Sequence, residues 1–270
     1  MKVRNPAVAG MFYPAERYRL NDVVGKFLES VPSESHARTF GVVSPHAGYP
    51  YSGKTAAYAI KNIRPSGFKR VVVMGPSHHQ FFNGSCVYSG DVYRTPLGDL
   101  PVDRKYADEL TGITGKVFSG EAGHGKEHSI EVILPFLQKA LGEIPIVPVI
   151  MGNQNEENIE ALSDALTAVY DDETLLVASS DLSHFYPRSI ARKLDSIVAE
   201  DINLNDPAKL LDDIMSQRCQ ACGGGLIVTM MNVLNAKKEN KSRVLHLTDS
   251  GEATGDFSEV VGYLSSIHYN

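Results

Sequence analysis

Short apolar runs, each closed by Gly, Pro or a hydroxyl residue, recur along the chain. Phe40-Gly41-Val42-Val43-Ser44, Val71-Val72-Val73-Met74-Gly75 and Leu175-Leu176-Val177-Ala178-Ser179 are the clearest. Unbroken runs of this length read as strands buried on both faces, the kind that build parallel sheets. Between them the apolar spacing changes to three and four. Leu20, Val23, Val24, Phe27 and Leu28 share one face of a helix predicted over 20–31, with Asn21 as the candidate cap. Similar spacing predicts helices over 54–63, 103–111, 130–141 (with Pro135 inside), 156–170, 188–204, 207–215 and 226–234. Cys86-Val87-Tyr88 and Asp91-Val92-Tyr93 read as short strands about a Ser89-Gly90 turn, an antiparallel extension or an insertion over the site. Residues 144–151 read as a strand at an edge or with an irregularity, because of Pro145 and Pro148. Strands over 243–248 and 258–266 close the chain, and residues 1–18 read as an extended arm packed on the core. Alternating strands and helices predict one α/β domain over 1–270, with a mostly parallel central sheet and helices on both faces.

Composition narrows the function classes. Among 270 residues, 26 are basic and 32 acidic, giving a net charge of −6 with no basic run, which argues against nucleic acid. No apolar stretch approaches the roughly 18 to 20 residues of a membrane span. The opening Met1-Lys2-Val3-Arg4-Asn5-Pro6 lacks the apolar core of a signal peptide, so the expectation is a cytoplasmic protein. Cys86, Cys219 and Cys222 do not make a disulfide framework.

The candidate chemistry lies where the apolar runs end. His46, His78 and His184 each follow a predicted buried strand in a loop of small residues. If those strands share one parallel sheet, the loops converge at its carboxyl edge, where open α/β sheets bind ligands. Neutral imidazole is the commonest metal ligand and also titrates near neutral pH, so the set fits metal binding, acid/base work or both. Asp181 precedes His184 by three residues and is placed to ligate, to orient an imidazole or to cap a turn. His79 adjoins His78, and the spacing alone does not choose which of the two faces the site. Cys219-Gln220-Ala221-Cys222 precedes three glycines, and a thiol at a helix start has a lowered pKa, so Cys222 reads as a soft ligand or nucleophile; two buried cysteines packing as small hydrophobes is the other reading. His124-Gly125-Lys126-Glu127-His128 matches H-x-x-E-H, but Gly123 and Gly125 argue against the helix a zinc peptidase needs. Glu127 and His128 are instead expected to support the site from a loop. Tyr49, Tyr13 and Arg4 complete the residues placed to reach a cleft. No G-x-S-x-G, P-loop or G-x-G-x-x-G is present.

Ala9-Gly10-Met11-Phe12-Tyr13-Pro14, Pro45-His46-Ala47-Gly48-Tyr49, Gly75-Pro76-Ser77-His78-His79, Tyr93-Arg94-Thr95-Pro96-Leu97, Glu127-His128-Ser129-Ile130-Glu131 and Ser179-Ser180-Asp181-Leu182-Ser183-His184 resemble, in order, the motifs of the Memo family. The resemblance implies the fold of class III extradiol dioxygenases, which use mononuclear non-heme iron(II). It implies a metal site at His46, His78 and Cys222, with His184 as acid/base and Asp181 beside it. A Cys stands where a carboxylate is expected, which favours softer metals such as copper(I) or zinc. The resemblance also implies an AMMECR1-like protein and a radical SAM protein as partners. The resulting expectation is a dioxygenase-like redox enzyme using iron(II) or copper, with zinc as a further option, on a small-molecule or peptide ligand in the cleft. A non-catalytic module binding a peptide or partner protein in the same cleft, and a zinc-type hydrolase that activates water, are the alternatives.

Overall fold

The computed structural model describes residues 1–34, 38–63, 67–237 and 240–270. The elements run β1 (Val3–Arg4), α1 (Arg17–Glu29), β2 (Thr39–Ser44), α2 (Tyr49–Lys61), β3 (Arg70–Pro76), β4 (Ser85–Tyr88), β5 (Val92–Thr95), β6 (Gly98–Pro101), α3 (Arg104–Thr111), β7 (Val117–Gly120), α4 (Leu134–Leu141), β8 (Ile146–Met151), α5 (Glu156–Val169), β9 (Thr174–Ser179), β10 (Asp181–Tyr186), α6 (Arg188–Leu204), α7 (Pro207–Met215), α8 (Gly224–Lys237), β11 (Lys241–Asp249), α9 (Gly251–Thr254) and β12 (Val260–Tyr269). A nine-stranded sheet has the order β10-β12-β2-β9-β3-β8-β4-β7, with β11 against β12. Its centre, β2-β9-β3-β8, is parallel. The flanks bring antiparallel pairs: β4 on β8, and β12 on β2, β10 and β11. A separate three-stranded sheet joins β1, β5 and β6. Two cores follow from the strand alternation. Val43, Val72 and Met74 pack under α5 and α8, while Val42, Val71 and Val73 pack under α1, α2 and α4.

Several boundaries differ from the sequence expectation, each for a physical reason. Helix α1 begins at Arg17 because Glu16, not Asn21, is its cap: the Glu16 carboxylate accepts the N–H groups of Tyr18 and Arg19. Helix α2 begins at Tyr49, with Pro50 in its first turn, where no N–H is needed. Helix α4 begins only at Leu134, so Pro135 also opens a helix rather than interrupting one. Strand β8 is interior, not an edge. The Ile146 carbonyl accepts from Asp103 N–H, which shows that residue 146, and with it 148, faces away from β3. On that side the β4 ladder reaches only Val149, so nothing there asks Pro148 for an N–H. Residues 86–88 and 92–93 lie in strands of different sheets rather than in one hairpin. Strand β7 had no apolar run to announce it.

The amino-terminal arm is tied down by charge. Arg4, 6% exposed, pairs with the fully buried carboxylate of Glu131. Its guanidinium also donates to the His124 carbonyl at 3.0 Å and to the Glu127 carbonyl. Glu131 further accepts from Ala7 N–H, Val8 N–H and Tyr13 Oη. Tyr49 is buried beside this network and donates to the Val132 carbonyl at 2.9 Å. Arg4, Tyr13 and Tyr49 therefore brace the segment 124–132, and Tyr13 and Tyr49 also line a hollow of about 520 Å³ that the imidazole cluster does not share. Removing one partner of a buried pair leaves an uncompensated charge, at a cost of about 3 to 5 kcal/mol. Glu131→Ala should lower stability by that order in urea denaturation, and a loss within 1 kcal/mol would show that the pair is replaceable.

Candidate metal centre

Strands β2, β9 and β3 are neighbours and parallel, so their carboxyl ends lie on one edge of the sheet. His46 follows β2 and His78 follows β3, and their ring centroids are 5.2 Å apart. His128 enters from the loop ahead of α4, 5.6 Å from the His46 ring and stacked 5.0 Å from that of His78. One nitrogen from each of His46, His78 and His128 lies within 4.8 Å of the other two. Cys222, just ahead of α8, places Sγ 3.3 Å from His46 Nε2. Asp181 accepts the His46 N–H at 2.8 Å and approaches His46 Nε2 at 4.0 Å, while its own N–H donates to Cys222 Sγ at 3.2 Å. Gly223 packs so closely on the Ser179 carbonyl that a Cβ there would collide with it, which seats the start of α8 at the site.

Burial sets the charge states. It pushes the His46 imidazole down to about 3, with the His78 charge as the next cause. It pushes His128 down to about 4, with His46 next. Both rings are neutral at neutral pH and have lone pairs to give. Burial also opposes charge on His78, but the Glu127 carboxylate, which accepts from His78 Nδ1 at 2.9 Å, outweighs it and raises that pKa. Glu127 is held well below its ordinary value despite burial, by its bonds with His78 and the N–H of Ser129. Burial pushes Asp181 up to about 6, against the pull of the His46 N–H. The Cys222 thiol is raised by burial and then by Asp181; the lowered pKa expected of a helix-start thiol is not found. Cys219 is buried, and both are free thiols.

His184 is on a strand, not in a loop. In a regular strand residues 181 and 184 would face opposite sides. Here Asp181 pairs with Tyr263 and His184 with Val261, three steps on β10 against two on β12. This is a β-bulge, and a second follows at Phe185, which adopts φ +63°. The extra residue lets Asp181 reach His46 while His184 lines a hollow of about 370 Å³ with Leu182, Ile214, Cys219 and Cys222. The bulge frees the Ser183 N–H, and Asp195 on α6 accepts it at 3.0 Å.

The sequence-predicted residues thus divide. His46, His78, Cys222, Asp181, His128 and Glu127 come together. His184 lines the adjoining hollow, and His79 is exposed, its ring 6.0 Å from that of His128. His124, the other end of H-x-x-E-H, is buried elsewhere, bonded to Tyr93 Oη and the Cys86 carbonyl. Ser179 and Asp195 were not anticipated. The hydroxyl of Ser179 at the end of a predicted strand, beside one of the three histidine segments, was the available signal; Asp195 left none.

An α/β sheet carrying a cage of imidazoles at its carboxyl edge defines the class. The Memo model, described as Memo-like protein, matches residues 4–267. A MEMO1 family protein of Methanobrevibacter smithii is 36% identical over 282 residues, covering 98% of this chain and 99% of that one. MEMO1 family proteins of Thermotoga petrophila and Methanocaldococcus jannaschii are 36% and 34% identical, each covering 98% of this chain and 99% of their own. The chain belongs to the Memo-like family. Among solved structures, the uncharacterized protein JW3007 from Escherichia coli K12 is similar at TM-score 0.53 and 14% identity, covering 86% of this chain and 100% of that one. That likeness shows the fold alone.

Asp195 gives the bulge a pH signature. It is 3% exposed, and burial pushes its carboxyl up to about 6 from 3.8. The folded state therefore holds its proton more tightly than the unfolded one, and stability falls as pH rises from about 4 to 6, by up to about 3 kcal/mol. Asp195→Asn keeps the acceptor for Ser183 and removes the charge. It should raise the thermal midpoint at pH 8 and lose that advantage towards pH 4; a midpoint lowered at pH 8 would contradict this.

Proposed function

We propose that this protein binds one transition-metal ion and uses it in redox chemistry on a small organic ligand. The observation that carries the reading is the set of three imidazole nitrogens within 4.8 Å of one another at the carboxyl edge of parallel strands. The donor chemistry fits a metal. His46 and His78 each engage Nδ1 with a supporting group, Ser179 and Glu127, and keep Nε2 for an ion. With metal–nitrogen and metal–sulfur bonds of about 2.0 and 2.3 Å at a tetrahedral angle, N and S stand about 3.5 Å apart. The 3.3 Å between His46 Nε2 and Cys222 Sγ suits that geometry. Imidazole with thiolate favours iron(II), copper or zinc over harder ions.

In this reading His46, His78 and His128 hold the ion, and Cys222 is a further donor. Iron or copper would supply electron transfer, whereas zinc would supply Lewis acidity alone. Asp181, whose N–H contact holds Cys222 and whose carboxylate holds the His46 N–H, is placed to exchange a proton beside the site. His184 faces the ligand from the adjoining hollow and moves a proton at its imidazole. The extradiol-dioxygenase fold that the family resemblance implies supports the redox half of the reading.

The test is metal content by mass spectrometry on anaerobically purified protein. About one iron or copper per chain is expected, lost in His46→Ala and His128→Ala and retained in His184→Ala. Zinc alone, with no oxygen consumption after iron loading, would favour the hydrolase. No metal after reconstitution with iron(II), copper(I) and zinc(II) would overturn the reading in favour of a binding module.

A further inference from the structure

The hydrogen-bond directions around the imidazoles say more than which residues surround them. Ser179 Oγ lies 2.6 Å from the Ser129 carbonyl and 2.6 Å from His46 Nδ1. A carbonyl only accepts, so the single hydroxyl proton of Ser179 goes to Ser129. The Ser179 oxygen then offers His46 only lone pairs. Nδ1 of His46 must carry the ring proton, and Nε2 is left bare. The same logic holds at His78, whose Nδ1 faces the Glu127 carboxylate at 2.9 Å.

Both relays start from one tripeptide. Glu127 Oε1 also accepts the N–H groups of His128 and Ser129, each at 2.9 Å. Ser129 Oγ donates at 2.9 Å to the carbonyl of Pro76, which ends the strand that delivers His78. A Cβ on Gly75 would collide with that hydroxyl, so the pin requires glycine there. We propose that Glu127-His128-Ser129 sets the tautomers of the site: it supplies one imidazole and, through Glu127 and the Ser129–Ser179 relay, fixes the other two with the proton on Nδ1. Ser179 is thereby a positioning residue for His46. The consequence for metal affinity rests on the metal-centre reading; the tautomer itself does not.

Two readouts separate these. Long-range proton–nitrogen NMR on metal-free, nitrogen-15-labelled protein reports the tautomer, with His46 signals assigned by their loss in His46→Gln. Wild type should show the proton on Nδ1 of His46. Ser179→Ala should lose that pattern with the remaining amide spectrum preserved, and Ser179→Thr, which keeps the hydroxyl, should restore it. Zinc affinity, measured by chelator competition, should fall about 10- to 100-fold in Ser179→Ala and recover in Ser179→Thr. Retention of the Nδ1 proton in Ser179→Ala would overturn the proposal. A changed tautomer with unchanged zinc affinity would overturn Ser179's part in metal holding. Failure of wild type to bind any metal would contradict the metal-centre reading, and the NMR result would still decide the tautomer.

Discussion

The buried ion pair between Arg4 and Glu131 is the interaction on which the rest of the site depends. A guanidinium removed from water needs its charge and its donors satisfied together. Arg4 meets that need with the Glu131 carboxylate and the carbonyls of His124 and Glu127. Those carbonyls belong to a segment with no regular hydrogen-bond ladder of its own. The charge therefore does for the loop 124–131 what a strand partner would otherwise do. Glu127 and His128 sit at its middle, so the two-residue strand β1 reaches the imidazoles through one side chain.

From this anchor the site is built by convergence. Parallel strands deliver His46 and His78 to one edge, and the anchored loop delivers His128 between them. The bulged strand β10 adds Asp181 and turns His184 towards the hollow beside Cys222. Each donor comes from a different part of the chain, and burial keeps the His46 and His128 rings neutral. Two neutral imidazoles withdrawn from water, beside the more exposed His78 that Glu127 orients, are poised to accept a cation.

Much of this was legible in the sequence, and what was not has physical causes. The strands β2, β3 and β9 announced themselves because both their faces are buried, so the apolar run is unbroken. Helices such as α5, α6 and α7 showed their faces through spacing of three and four. Strand β8 misled because Pro148 looks like an edge residue, and only the short reach of β4 makes it tolerable inside. Helices α2 and α4 started elsewhere than expected because prolines open them. His46, His78, Cys222 and Asp181 were singled out from strand ends and family motifs. His128 was placed only in a supporting role, since its position is set by Arg4 and Glu131 and not by any periodicity. The arm was read as packed on the core, but the contacts of Arg4 and Tyr13 with Glu131, and of Tyr49 with the Val132 carbonyl, follow from tertiary packing that no periodicity announces.

The proposed function requires a single ion among these imidazoles. X-ray absorption at the edge of the bound metal tests it most directly. Two or three imidazole rings with nitrogen at about 2.0 Å and at most one sulfur at about 2.3 Å are predicted, with no second metal nearby. A shell of oxygen ligands alone, or a metal–metal vector, would contradict a single ion held by these imidazoles.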